Sequence, residues 1–194
     1  MGKINPIQLK GIWTDGYALD KHTLSSEFLG TDERGRNQFE TVRSDIGQLL
    51  YELKYKENIN KVTEIISLIK PFLLQWGIAD KIDIMLPIPS SNKDRPFQPV
   101  TEISKAISVV LGKPMYVDIM QNNSTIQSKD LSDTQKNEIT GSISMNKKLK
   151  RNSNILLIDD IYATGKTLNE AVKALRVDPK VIDIYVLTMS KKKK

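Results

Sequence analysis

The sequence contains no cysteine and a single histidine, His22. The first absence removes disulfides, thiolate zinc sites and a cysteine nucleophile together. The second excludes any multi-histidine metal site and leaves a Ser-His-Asp triad resting on one residue, so hydrolase readings lose most of their weight. No stretch approaches the ~20 consecutive apolar residues that a membrane helix needs, and the segment from Met1 to Lys10 lacks the apolar core of a secretory signal. A cytoplasmic protein with no membrane segment is the expectation.

What is present reads as globular. The 194 residues are 39% hydrophobic and 27% charged, which suits one domain with a real core. The formal charge of +6 hints at nucleic acid, but the run Lys191 to Lys194 carries most of it. Set apart as a basic tail (191–194), that run reads as frayed and solvated, and nucleic-acid binding through it is weakly supported.

The second half alternates strand-like and helix-like patterns. Ile82 to Pro89 is a short apolar run stopped by prolines, a buried strand entering a loop. Ile103, Ala106, Ile107, Val110 and Leu111 form one helical stripe that Gly112 and Pro114 end. Met115 to Met120 reads as a strand, Ile155 to Ile158 as a buried strand, Leu168, Ala171, Val172 and Leu175 as a helix, and Val181 to Met189 as a last strand. Such alternation predicts an α/β fold with a mostly parallel open sheet flanked by helices.

Before residue 82 only a weak strand pattern stands out, around Ile12 to Leu19. Two helical stripes are clearer: Val42, Ile46, Leu49, Leu50 and Leu53, then Val62, Ile65, Ile66, Ile69 and Leu73, where Pro71 is expected to kink or divide the helix. Gly30 to Gln38 reads as an exposed loop or hairpin tip. We divide the chain into an N-terminal extension packing on the core (1–40), a main domain (41–190) and the tail. The polar segment Gln121 to Ile139 is long for a connection inside a compact domain, and a mobile loop over a site is one reading of it. His22, remote in sequence from everything below, reads as a surface residue, and Trp13 and Trp76 as packing.

The informative run is Ile155 to Leu168, in which a buried strand ends in Asp159-Asp160 and a turn with small and hydroxylated residues leads into a helix. Free N–H groups of a first helical turn and the positive end of its dipole favour an anion in that turn. Gly165 permits close backbone approach, Thr164 and Thr167 offer hydroxyls, and the two acids can accept from sugar hydroxyls or a hydrated cation. Three other readings compete. Gly165-Lys166-Thr167 imitates the end of a Walker A loop, but that motif needs glycine where Asp160 stands. A receiver domain would need more chain after Asp159 than remains. A turn whose Asp and Thr merely cap the helix is the plainest alternative.

The run from Ile155 to Leu168 resembles the phosphoribosyl pyrophosphate (PRPP) signature of type I phosphoribosyltransferases: four apolar residues, two acids, an apolar residue, two variable positions, then Thr-Gly-x-Thr. The rest of the second half is similar to the ComF-like, amidophosphoribosyltransferase-like branch. Pro87-Ile88-Pro89 followed by Arg95-Pro96-Phe97-Gln98 carries that likeness, with Pro96 in place of a glycine, and so do Gln127, Leu131 and Asn137. The branch's Cys-rich module is absent, and Lys136 stands where arginine is usual.

The resemblance implies a fold of that class with a mobile hood loop. Asp159 and Asp160 would hold the ribose hydroxyls, and a metal indirectly through ribose or water; Ala163, Thr164, Gly165, Lys166 and Thr167 would wrap the 5′-phosphate. The loop after the first parallel strand, with Ser90, Ser91, Lys93 and Arg95, would cradle pyrophosphate, and Gln127 would be the lid contact. Mg²⁺ is the implied cofactor, PRPP and an unidentified nucleophile the partners, and a homodimer is left open. The alternative is a PRPP- or nucleotide-binding accessory protein without turnover, linked to regulation or DNA processing.

Overall fold

The computed structural model describes residues 2–92, 94–123 and 142–192. Lys93 and the expected lid contact Gln127 lie outside the described residues, as does most of Gln121 to Ile139. The central sheet has the order β1-β2-β9-β8-β5. Its members are β1 (Ile7–Gln8), β2 (Asp15–Ala18), β5 (Ile84–Pro87), β8 (Ser153–Tyr162) and β9 (Val181–Lys191). Apart from the antiparallel edge β1, the neighbours run parallel, so β2, β9, β8 and β5 end at the same edge.

Alternation along β8 builds a layer on each face. Ile155 and Leu157 point to one side, onto Leu168, Ala171, Val172 and Leu175 of helix α4 (Lys166–Leu175). Leu156 and Ile158 point to the other, where α1 (Asp45–Tyr55), α2 (Lys61–Trp76) and α3 (Pro99–Leu111) pack. All four β8 residues are fully buried, and each such aliphatic side chain contributes about 1.5–3 kcal/mol of burial. Among the described residues two antiparallel ribbons complete the fold: β3 (Thr23–Thr31) with β4 (Asn37–Arg43), whose tip at 32–36 lies in the expected turn, and β6 (Met120–Asn122) with β7 (Ile143–Met145).

Several elements differ from the sequence-based expectation. The weak strand pattern around Ile12 to Leu19 is a paired strand of the sheet, since β2 lies against β9, whereas a boundary at residue 40 falls inside β4. Helix α2 is not divided at Pro71. That proline is exposed, so the carbonyl it leaves unbonded can turn to water, while fully buried Ile65, Ile69 and Leu73 hold both halves to one core. Met115 to Met120 is not a strand: one bridge joins Met115 to Met85 before the chain leaves, and Pro114, lacking an N–H, limits the ladder. Lys191, counted as tail, is the last residue of β9. Both tryptophans pack, Trp13 buried in the core and Trp76 edge-on to Tyr17.

Candidate active site

The acidic pair lies further inside its strand than the sequence suggests. β8 runs on to Tyr162 because β9 continues beside it, pairing Asp159 with Thr188 and Tyr162 with Lys191. On the opposite side pairing stops at Pro87 and Ile158. After a last bond from the Ile88 N–H to the Ile158 carbonyl at 2.8 Å, the chain turns away through Pro89. Asp159 and Asp160 therefore stand beside an open notch at the carboxyl edge of the sheet, where ligands of open α/β folds sit.

Being consecutive in a strand, the two acids point to opposite faces. Asp159 shares the α4 side, and its Oδ1 accepts from the Asp160 N–H at 2.8 Å. Burial, and then the charge of Asp160, push its carboxyl up to about 7. Asp160 shares the α1 side, where its Oδ2 accepts from Lys54 Nζ at 2.6 Å. Lys54, 106 positions away in the chain, has no sequence signal beyond lying next to the apolar stripe of α1.

The turn after β8 bends through Gly165, which has φ of +82° and precedes α4 without a side-chain cap. A Cβ there would stand 2.7 Å from the Tyr162 hydroxyl and 3.0 Å from its ring, so both dihedral and space require glycine. Ala163, Thr164 and Thr167 are exposed around it, and the Lys166 N–H reaches back to Thr164 Oγ1 at 3.4 Å. Across the notch, Ser90 is tied inward: its hydroxyl donates to the Asn92 carbonyl at 3.0 Å and accepts from the Asn92 N–H at 3.1 Å. Ser91 is exposed. Arg95 shares a shallow recess with Leu53, Lys54 and Phe97, which brings the loop and the acid pair together through Lys54.

His22 is not a remote surface residue. The chain leaving β2 emerges at the same edge, where the His22 N–H donates to the Lys191 carbonyl at 2.7 Å and Nδ1 lies 3.0 Å from Ser190 Oγ. Burial, then Arg43, hold its pKa below the ordinary histidine value, and Asp160 lies within electrostatic reach. Gly47 makes this packing feasible, since a Cβ on it would stand 2.2 Å from the His22 carbonyl oxygen. Sequence reasoning missed His22, Lys54 and Gly47 as site elements because only the sheet order brings them together.

A family comparison decides the class of the chain. The model of the phosphoribosyl transferase domain matches residues 93–194, just over half of the chain. The chain belongs to the phosphoribosyl transferase domain family. No curated protein matches it significantly. Among solved structures it is similar to adenine phosphoribosyltransferase from Saccharomyces cerevisiae (14% identity, TM-score 0.47, covering 85% of this chain and 84% of that one). Glutamine PRPP amidotransferase from B. subtilis gives 13% identity and TM-score 0.47, covering 90% and 37%. A structure described as the allosteric regulatory enzyme of purine biosynthesis gives 16% and 0.38, covering 56% and 22%. This phosphoribosyl transferase domain thus spans less than half the length of the latter two proteins.

A resident cation does not fit the donor set. The two carboxylates face opposite sides of the sheet, Lys54 engages one of them, and no cluster of three or more His, Cys, Asp or Glu suited to a metal occurs among the described residues. No helix among the described residues is long and apolar enough to cross a membrane.

Proposed function

We propose that the chain binds PRPP with Mg²⁺ as one substrate complex and transfers ribose 5-phosphate to an acceptor, releasing pyrophosphate. The observation that carries this reading is the glycine-bound turn from β8 into α4 beside two acids at an open sheet edge. Ala163 to Thr167 hold the 5′-phosphate through backbone N–H groups and the exposed threonine hydroxyls. Asp159 and Asp160 accept from the ribose 2′ and 3′ hydroxyls or from water on the cation. The loop with Ser90, Ser91, Lys93 and Arg95 receives pyrophosphate, and Gln127 contacts the bound ribose.

During transfer an acceptor lone pair forms a bond to C1 while the C1–O bond to pyrophosphate breaks, and the leaving group keeps the electron pair. Positive charge grows on the ribose and negative charge on the departing oxygens. The fixed carboxylates stabilise the first and Arg95 the second, a preorganised electrostatic contribution. The cation adds charge neutralisation on pyrophosphate when bound. Placement in the ComF-like branch and in the cytoplasm belongs to the same proposal.

Two measurements test it: calorimetric binding of PRPP with Mg²⁺, and pyrophosphate release with a panel of bases, amines and nucleotides. Binding with release supports the transferase. Binding with no release across the panel supports the accessory role, and no binding overturns both.

A further inference from the structure

The transferase reading leaves the acceptor unnamed, and the edge of the sheet narrows its chemistry. β8 lies between β5 and β9. The loop after β5 occupies one flank of the acid pair, and α4 closes the phosphate end. Attack on C1 comes from the side opposite the leaving group, so with pyrophosphate toward the β5 loop the acceptor enters from the flank where β2 and β9 end.

That flank is cationic. His22, part-buried and bonded to Ser190, has Arg43, Lys54 and Lys192 within electrostatic reach, against Asp160 as the one acid among them. Lys54 is already paired to that acid at 2.6 Å. The Arg43 guanidinium lies 4.1 Å from the centroid of the Tyr51 ring, a stacked arrangement that holds its donor fork in a fixed plane. Lys192 is exposed, and its backbone N–H is tied to the Tyr162 carbonyl at 2.8 Å, which keeps it at the mouth. α1 carries both Lys54 and Tyr51, and Gly47 lets that helix close on His22.

We infer that the cluster of His22, Arg43, Tyr51 and Lys192 is the acceptor subsite and that it takes a planar acceptor carrying an oxyanion, a carboxylate or a phosphate. The stacked guanidinium reads the oxyanion bidentately, Tyr51 fixes its plane, and Lys192 adds charge at the entrance. The nucleophilic nitrogen of the ring then faces C1, and any proton on it passes to solvent water. This inference rests on the transferase reading, because the position of C1 does.

The test pairs each acidic probe with its neutral isostere: pyridine and pyrimidine carboxylates against their carboxamides, and a purine nucleoside monophosphate against its nucleoside. Turnover is read with PRPP and Mg²⁺, and binding by calorimetry on protein saturated with ribose 5-phosphate and pyrophosphate. At least one acidic probe is expected to exceed its neutral partner tenfold or more in kcat/KM or affinity, and the carboxylate and phosphate arms decide which oxyanion is preferred. In Arg43→Gln with Lys192→Gln that preference should fall about tenfold while PRPP affinity stays within twofold; Arg43→Lys should restore only part of it.

Equal values for acidic and neutral probes overturn the inference while leaving the transferase intact. A loss of PRPP affinity as large as the loss for the acidic probe also overturns it. If wild-type protein fails to bind PRPP with Mg²⁺, the transferase reading fails and the subsite falls with it.

Discussion

At the scale of single residues, the acid pair makes two demands that can be separated. Asp159→Asn with Asp160→Asn keeps the size and shape of both side chains, and both sit at the sheet edge beyond the aliphatic core. Calorimetry should show loss of Mg²⁺–PRPP binding, with cooperative thermal unfolding retained. Asp159 also sets a pH dependence. Its carboxyl is raised to about 7, by burial first and Asp160 second, so the folded chain keeps a proton that an unfolded Asp releases near 4. Between those values the unfolded state binds fewer protons. The contribution of Asp159 to stability therefore falls as pH rises from about 4 to about 7 and is level above. Ligand affinity runs the other way, since accepting a hydroxyl needs the carboxylate. PRPP affinity should strengthen from pH 6 to pH 8, and Asp159→Asn should abolish the corresponding slope in the stability curve.

At the scale of elements, helix α1 is the part whose placement the site depends on. Its cap, Ser44, accepts from the Gly47 N–H at 3.1 Å, and Gly47 then meets the His22 carbonyl. Gly47→Ala raises helix propensity, yet its Cβ would lie 2.2 Å from that oxygen, far inside contact distance, so the helix must move and Lys54 moves with it. The expected result is a net loss of stability of about 1–3 kcal/mol and weaker PRPP binding. Lys54→Met should weaken binding without that loss of packing, and Lys54→Arg should recover part of it. Chemical denaturation and titration of the three variants separate the two effects.

Elements with strong periodicity were legible in the sequence. Val42 lies exposed in β4 rather than in the first helix, but the remaining stripes of α1, α2, α3 and α4 and the aliphatic run of β8 each carry enough apolar residues to dictate one face. Ribbons such as β3–β4, where Phe28, Leu29 and Phe39 are exposed, bury too little to leave a pattern. The glycine turn from β8 into α4 was legible because its motif is local. Lys54 and His22 were not, because they join the site only through sheet order and helix packing.

At the scale of the whole molecule, the end of the chain is tied to its beginning. β9 is flanked by β2 and β8, so a segment near the N-terminus, the signature strand and the last strand form one block. Lys191 and Lys192 close it: the Lys191 N–H donates to the Asp20 carbonyl at 2.8 Å, its carbonyl accepts from the His22 N–H at 2.7 Å, and the Lys192 N–H donates to the Tyr162 carbonyl at 2.8 Å. A lysine run that reads as a detachable tail is thus bonded to the sheet for half its length. Removing Lys193 and Lys194 should leave melting and PRPP binding unchanged, while lowering the salt slope of any DNA binding by about 0.9 per phosphate-neutralising lysine removed. Removing Lys191 to Lys194 deletes three backbone bonds as well. At about 1 kcal/mol each, and about 2–4 °C per kcal/mol for a chain of this size, the midpoint should drop by roughly 6–12 °C. PRPP affinity should fall with it, because Tyr162, which packs against Gly165, loses the strand end that holds it. Thermal melts and PRPP titrations of the two truncations decide the matter; a longer truncation that melts with the full chain would show that the C-terminal lysines contribute nothing to the sheet.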